Sequence, residues 1–561
     1  MMKRILGMSL ALVMSGCTQL PTTGDVESVD PASVISTSAV DFLAPGPSAG
    51  ASPEEIIEGF VAAGTAAQNN YRVARSYLDE VHRDEWNPSQ SVLISSGEPT
   101  LTDQGDGSWV YSIPVVASVD EAGRYETLTR ETSQDLLFVV SEIEGEWRIS
   151  DAPDGVVLGE LAFREAYESV RLYYYSSDYR ELVPDMRWFA SRGDVLTKVV
   201  RGLLEPPTYW LNQGATVSAF PSGIQLVLSP VPVVEGQARV DLSESVLDLS
   251  DTQKTRMLWQ LTTTLTQISD VSDVAITVNQ TPISIPVTDE TQPTLTTGRD
   301  PRPLVIRGRD FGYVQAGRIE SIEGVEAGIA GLRPDKVFYS AVYNRAAVVG
   351  EGGLWRVTVD GASEQPLDVR SNLVRPVIDS CGYTWSIADA SDDDAIKVFP
   401  VVVGDPELDF IPLSLELPQG SKVVSFELAR DNTRMLLLVQ AGESVRVLLT
   451  AIQRSGTCEP VGIGEFMELT PMTGQAVDAA FVDESQVAVV ARQDQVGEVV
   501  IQDVSGRAFN AGRPSAPVTL VGGVGGVPGL RLINAQGQIL QPRGNGWQDT
   551  GERANVLVTQ R

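Results

Sequence analysis

The sequence predicts a multidomain chain of α+β and all-β parts: an N-terminal α+β domain, a central α/β domain and a C-terminal β-propeller of five or six blades. Three observations carry this. Helix signals precede strand signals between residues 51 and 155. Two capped helices alternate with strand-like runs between 160 and 287. Beyond residue 304, short β-runs recur with a period of about 45 residues and long amphipathic helices are absent. A length of 561 residues suits three or four domains, and a hydrophobic fraction of 42% supports sizeable cores.

The chain starts with an export signal. Lys3 and Arg4 precede an apolar run over residues 5–14. Ten helical residues span roughly 15 Å, half a hydrocarbon core, so the run is a signal peptide and not a membrane span. Met14-Ser15-Gly16-Cys17 follows and resembles a bacterial lipobox. Residues 1–16 then form the signal peptide. Cys17 becomes the lipidation site, carrying an S-diacylglycerol, with N-acylation a second modification open to it. Two acyl chains anchor stably where one is marginal. An ordinary signal peptide with a chance Cys17 is the alternative. Residues 17–50, rich in Pro, Ser, Thr and Gly, read as a flexible tether with a root-mean-square reach of roughly 30 Å.

Residues 51–155 form the first domain. Ser52-Pro53-Glu54-Glu55 is a capping box with proline at the first helical position. Ile56, Ile57, Phe60 and Val61 give that helix a buried face, and Tyr71, Ala74, Tyr77 and Leu78 suggest a second. Strand patterns follow at 92–94, 109–119, 136–143 and 147–150, with Glu144-Gly145-Glu146 as a hairpin turn. The order suggests a cone-like sheet of the NTF2 type, either enclosing a pocket or filled. His82, the only histidine, stands in "DEVHRDEW" after a helix and reads as a surface residue. One histidine excludes a Ser-His-Asp triad in any ordinary form and a multi-histidine metal site.

Residues 160–287 form the second domain. Strand-like runs at 172–175 and 181–184 precede a helix started by Gly193-Asp194 and carried by Val195, Leu196, Val199, Val200, Leu203 and Leu204. Glu205-Pro206-Pro207 ends it, since proline lacks a backbone donor and forces its neighbour to extend. A loop over 209–214 and Phe220-Pro221-Ser222-Gly223 leads to runs at 224–228 and 238–242. Ser250 and Gln253 form a second capping box, behind which Leu258, Leu261, Leu265 and Ile268 make one apolar stripe. A last strand lies at 274–278.

After a Thr/Pro-rich linker, 288–303, residues 304–561 carry the propeller pattern. Runs lie at 337–342, 346–349 and 354–359; at 374–378, 384–387 and 396–401; at 423–428, 434–439 and 445–452; and at 479–482, 487–491 and 499–503. Asp431-Asn432 and Asp483-Glu484 supply turns. Residues 304–313 remain available to complete the last blade. A long β-sandwich is the alternative.

Charge excludes one class of partner. The formal charge is −32, and losing Lys3 and Arg4 with the leader makes it −34, which gives no footprint for nucleic acid. Anionic surfaces repel such a chain, so it needs its lipid to stay at a membrane. Besides Cys17 there are two cysteines, Cys381 and Cys458, an even pair in an exported chain and a disulfide candidate; two separate thiols are the alternative. Asp392-Asp393-Asp394 reads as a solvated turn and Gly522-Gly523-Val524-Gly525-Gly526 as a turn between blades, with no helix after it to make a phosphate loop. No catalytic, cofactor or metal residue is assigned.

The stretches "GLLEPPTYWLNQGATVSAFPSG", "ARVDLS" and "WQLTTTLTQISDVSDVAITVNQTPI" resemble the GerMN domain of the actinobacterial lipoprotein LpqB family. The domain order agrees over nearly the whole chain. The resemblance implies a membrane-anchored, extracytoplasmic, non-enzymatic partner of the extracellular domain of a two-component sensor kinase, MtrB of the MtrA/MtrB system, tuning cell-wall homeostasis and division. It also implies contact of the GerMN domain with cell-wall components. A secreted hydrolase using carboxylates on wall material is the other class the sequence allows.

Overall fold

The computed structural model describes residues 45–560 apart from 287–291, 294–299, 364, 390–394, 403, 405, 407 and 408. The signal peptide 1–16, Cys17, most of the tether 17–50 and of the linker 288–303, and Asp392, Asp393 and Asp394 lie outside the described residues.

In the first domain the capping box forms. Ser52 Oγ accepts from the Glu55 amide at 3.3 Å and Glu55 Oε2 from the Ser52 amide at 2.8 Å, which starts α1 (Pro53–Ala63). Two further helices, α2 (Gln68–Arg75) and α3 (Glu80–Glu85), precede strands β1 (Ser91–Ser95), β2 (Thr100–Asp103), β3 (Ser108–Asp120), β4 (Tyr125–Ile143), β5 (Glu146–Asp151) and β6 (Val156–Gly159). The sheet runs β5-β4-β3-β1-β6, with β2 on β3 and β6 parallel to β1. Glu144 and Gly145 both take positive φ, 54° and 83°, as a two-residue hairpin turn requires. Rings fill the cone: Phe60 meets Trp86 at 5.0 Å and Phe138 at 5.9 Å. A small cavity of about 30 Å³ remains beside them, lined by Phe60, Trp86 and Phe138 among others. His82 lies within α3 and not after a helix, its Nδ1 3.2 Å from Asp79 Oδ1.

The second domain begins with α4 (Glu160–Ala166) and the hairpin β7 (Tyr167–Ser176) and β8 (Leu182–Ala190). Then come α5 (Val195–Leu204), β9 (Thr216–Val217), β10 (Val233–Val234), β11 (Gln237–Asp241), α6 (Asp251–Leu265), β12 (Asp273–Val278) and β13 (Thr281–Pro282). Two small sheets result, β8-β7-β9 and β10-β11-β12-β13, and α6 packs on both β7 and β12. Two expectations are corrected. Residues 224–228 form no full strand, only a short antiparallel bridge from Leu226 to Leu242, with the Val227 amide donating to the Asp241 carbonyl at 2.8 Å just past the edge that β10 covers. The run read at 181–184 extends to Ala190, since Asp185 and Arg187 are strand residues buried among apolar ones.

The last domain is a six-bladed propeller. Blade one combines strands Leu304–Arg307, Asp310–Gln315 and Arg318–Ser321 with an inner strand Val556–Gln560. Inner strands Lys336–Ser340, Val377–Ile378, Lys422–Leu428, Gln475–Phe481 and Pro517–Val521 open blades two to six. Leu304 pairs with Val558 and Ile306 with Val556, so the ring closes with three strands from its beginning and one from its end. The inner strand of blade three is two residues long where the sequence suggested five.

Candidate functional site

Each propeller has two ends: one where the inner strands begin and one where they finish. They are used differently here.

At the finishing end the central domain is docked on blades four and five. Its loop after α5 inserts Trp210 and Leu211, which with Val183, Met186 and Ala215 pack against Leu436, Leu438, Val447 and Val489. Polar contacts ring this apolar seat. Tyr173 Oη donates to Glu484 at 2.6 Å, Ser177 Oγ to the Arg454 carbonyl at 3.1 Å and Gln453 Nε2 to the Gln213 carbonyl at 2.7 Å. Burial, then the charge of Glu484, pushes the Tyr173 hydroxyl far above its ordinary pKa, so it remains a donor.

The loop is held by a buried ion pair. Asp185 accepts from Arg187 Nε and Nη2 at 2.9 and 2.7 Å and from the amide and hydroxyl of Thr208, both at 2.9 Å. Arg187, fully buried, also donates to the carbonyls of Pro206 and Ala122. Burial, the largest single influence, would lower the guanidinium pKa; the charge and hydrogen bonds of Asp185, with the nearby Tyr174 and Asp120, together outweigh it and hold it above the usual value. Trp188, next along β8, is the junction of all three domains. Its ring lies 4.8 Å from Phe163 and 6.1 Å from Tyr125, Arg507 covers it at 4.4 Å, and its Nε1 donates to the Ser505 carbonyl at 2.9 Å. Its amide donates to the Gly123 carbonyl at 2.7 Å, an approach that leaves no room for a Cβ at Gly123. Sequence reasoning missed Asp185, Arg187 and Trp188; two opposite charges inside an apolar run were the available signal.

At the same end the structure pairs Cys381 with Cys458 in a disulfide, Cα atoms 6.4 Å apart, between blades three and four. Arg454 Nη2 donates to Asp379 Oδ2 at 2.9 Å beside it.

The beginning end is open. A funnel of about 840 Å³ lies over the channel, lined by Lys336, Asp389, Lys422, Gln440, Glu443 and Gln493 among others. Its rim is braced: Gln440 Nε2 donates to the carbonyls of Gly442 and Gly474 at 2.8 and 3.0 Å, and Gln440 Oε1 accepts from the Ala476 amide. Near this end, Arg375 of blade three reaches past blade four to Asp478 of blade five, with two hydrogen bonds at 2.9 and 3.0 Å, while Asp478 Oδ2 accepts from the Leu520 amide of blade six. Both groups are buried. Among the described residues no cluster of three or more His, Cys, Asp or Glu is placed to hold a metal ion, and no helix is long and apolar enough to cross a membrane.

An α+β domain, a GerMN-like domain and a six-bladed propeller with the central domain docked on it define a modular propeller protein with one face occupied. Family profiles match all three parts: the lipoprotein LpqB N-terminal domain over residues 46–164, a sporulation and spore germination domain over 171–284, and the lipoprotein LpqB beta-propeller domain over 310–556. The chain belongs to the lipoprotein LpqB family. It is 26% identical to a lipoprotein LpqB of Streptomyces coelicolor over 90% of this chain and 88% of the relative. A lipoprotein LpqB of Cutibacterium acnes is 28% identical over 50% of this chain, a match that spans about half of the relative, 47%. Among solved structures, the first GerMN domain of the sporulation protein GerM from Bacillus subtilis is 16% identical, covering 22% of this chain and 98% of that one, with a TM-score of 0.18.

Proposed function

We propose that this chain is a non-enzymatic binding protein, held by lipid on Cys17 at the extracytoplasmic face of the cell membrane. Its partner in this reading is the extracellular domain of a two-component sensor kinase of the MtrB kind. The effect is to tune signalling for wall homeostasis and division. The partner comes from the family resemblance, as does contact of the GerMN-like domain with wall components. The binding role is supported by one observation: the propeller's finishing end is taken up by its own central domain, while a braced polar funnel of about 840 Å³ faces outward at the other end. A concave site with a few convergent polar groups is where a ligand docks by default. Lipid and tether confine the chain to a layer tens of Å thick, which raises its effective concentration for a membrane partner.

The test is binding of the sensor ectodomain to the full chain and to Lys422→Glu and Glu443→Lys variants, whose exposed side chains lie on the funnel rim. Rim charges act on association rate and salt dependence. We expect association to slow several-fold and its salt dependence to change in at least one variant. Unaltered association in both, at low and high salt, removes the funnel from the interface. Absence of any binding by the wild-type chain removes the proposed partner.

A further inference from the structure

Among the described residues, two arginines of blade two have no counter-charge. Arg356 lies in the strand Gly353–Thr358 and is 7% exposed. Its Nη1 donates to the Val401 carbonyl at 2.8 Å, and its Nη2 to the Pro400 carbonyl at 2.6 Å and the Thr384 hydroxyl at 3.3 Å. All three acceptors are neutral groups of blade three. The Nε of Arg356 is buried and has no hydrogen-bond acceptor.

Arg345 begins the neighbouring strand Arg345–Gly350. Ala347 is paired with Arg356, and side chains two apart in a strand share a face, so Arg345 and Arg356 project from the same face of the blade as diagonal neighbours. Arg345 Nε and Nη1 are also buried without an acceptor; its neighbouring ring, Tyr343, lies 5.9 Å away. Burial lowers the pKa of both guanidiniums, and the charge of Arg345 adds to it at Arg356, which falls to about 10.

Three buried cationic N–H donors on one face, with no carboxylate among the described residues to accept from them, are an arrangement proteins avoid unless something fills it. A monoanion neutralises only one of the two guanidiniums; a dianion neutralises both, and its several oxygens serve donors from different directions. We propose that Arg345 and Arg356 form a binding site for a dianionic oxyanion of the phosphate class, at the seam between blades two and three. The central domain sits on blades four and five, so the docking described above does not use this seam. Arg345 reaches the surface and gives the anion its way in.

The test is calorimetric titration of the full chain with inorganic phosphate, with glycerol 3-phosphate and with acetate, all at one ionic strength. We expect saturable binding of phosphate or its ester, with acetate roughly tenfold weaker. Arg345→Gln, whose side chain makes no hydrogen bond in the free protein, should fold normally and bind phosphate roughly tenfold more weakly. Arg333→Gln, which removes an exposed charge just before blade two, should bind as the wild type does. Should Arg345→Gln fail to give a native circular-dichroism spectrum, Arg345→Lys replaces it, keeping the charge but losing the fork; it too should bind more weakly. The proposal is overturned by no saturable binding of either phosphate compound, by acetate binding as tightly as phosphate, by undiminished binding in the folded Arg345 variant, or by an equal loss in Arg333→Gln.

Discussion

Trp188 offers the most direct measure of how firmly the domains are joined. Its side chain is 2% exposed and touches the first domain, through Tyr125, α4 of its own domain, through Phe163, and the propeller, through Arg507 and Ser505. Trp188→Ala removes a ring that buries about 200 Å², worth about 5 kcal/mol at 25 cal/mol/Å². Large-to-small substitutions at such sites cost about 3–5 kcal/mol in practice, and the stranded Ser505 carbonyl adds to this. Trp188→Phe keeps most of the ring and loses only the indole donor, a cost of about 1–2 kcal/mol. Urea denaturation followed by the ellipticity of the sheets separates the two. With a slope of about 3 kcal/mol/M, the Ala variant shifts its midpoint down by about 1.3 M and the Phe variant by about 0.5 M. Limited proteolysis should then cut the Ala variant between the central domain and blade one at urea concentrations that leave the wild type whole. If Phe costs as much as Ala, ring packing is not what joins the domains. If neither shifts the midpoint, the junction is incidental to stability.

Three further outcomes are expected. Replacing Cys381 and Cys458 by serine opens a loop of sequence separation 77; the chain-entropy model gives a loss of about 4.5 kcal/mol, and two free thiols in protein isolated without reductant would refute the pairing. Burial, chiefly, raises the pKa of Asp503, so the native state holds this proton more tightly than the unfolded chain does. Stability therefore falls as pH rises from the ordinary carboxylate range through the raised value, and Asp503→Asn should lack that component, seen as converging melting temperatures of variant and wild type on acidification. Cys17→Ser should leave the precursor unprocessed and unlabelled by an alkyne fatty acid; equal labelling in both would sink the lipid anchor.

Much of the fold was legible because local and global signals agree. Ser52 and Ser250 announced helix starts that the structure caps as expected. Strands such as Arg434–Ala441 are apolar on both faces and bounded by turns, so they stand out in any reading. Legibility failed where a tertiary partner decides. Residues 224–228 have the composition of a strand, but they meet their sheet only at its end, through the Leu226–Leu242 bridge. The second half of β8 looked polar because Asp185 and Arg187 neutralise each other inside the core. The funnel was illegible for a different reason: Lys336, Asp389, Lys422 and Gln440 are ordinary surface residues in sequence, brought together only by the closure of the ring.

In the exported reading proposed above, that closure bears on how the protein reaches its final state. A chain threaded through a translocation pore emerges from its N-terminus, so residues 304–307 are exported well before residues 556–560, the strand they pair with. Until then blade one has an open edge, a ready template for pairing with another chain. With the lipid anchor proposed on Cys17, the vulnerable intermediate would stand at the bilayer surface while the ring is still unzipped. An affinity tag added after residue 560 would extend the innermost strand of blade one and crowd the channel. One added after Cys17, on the tether, would leave the ring free to close.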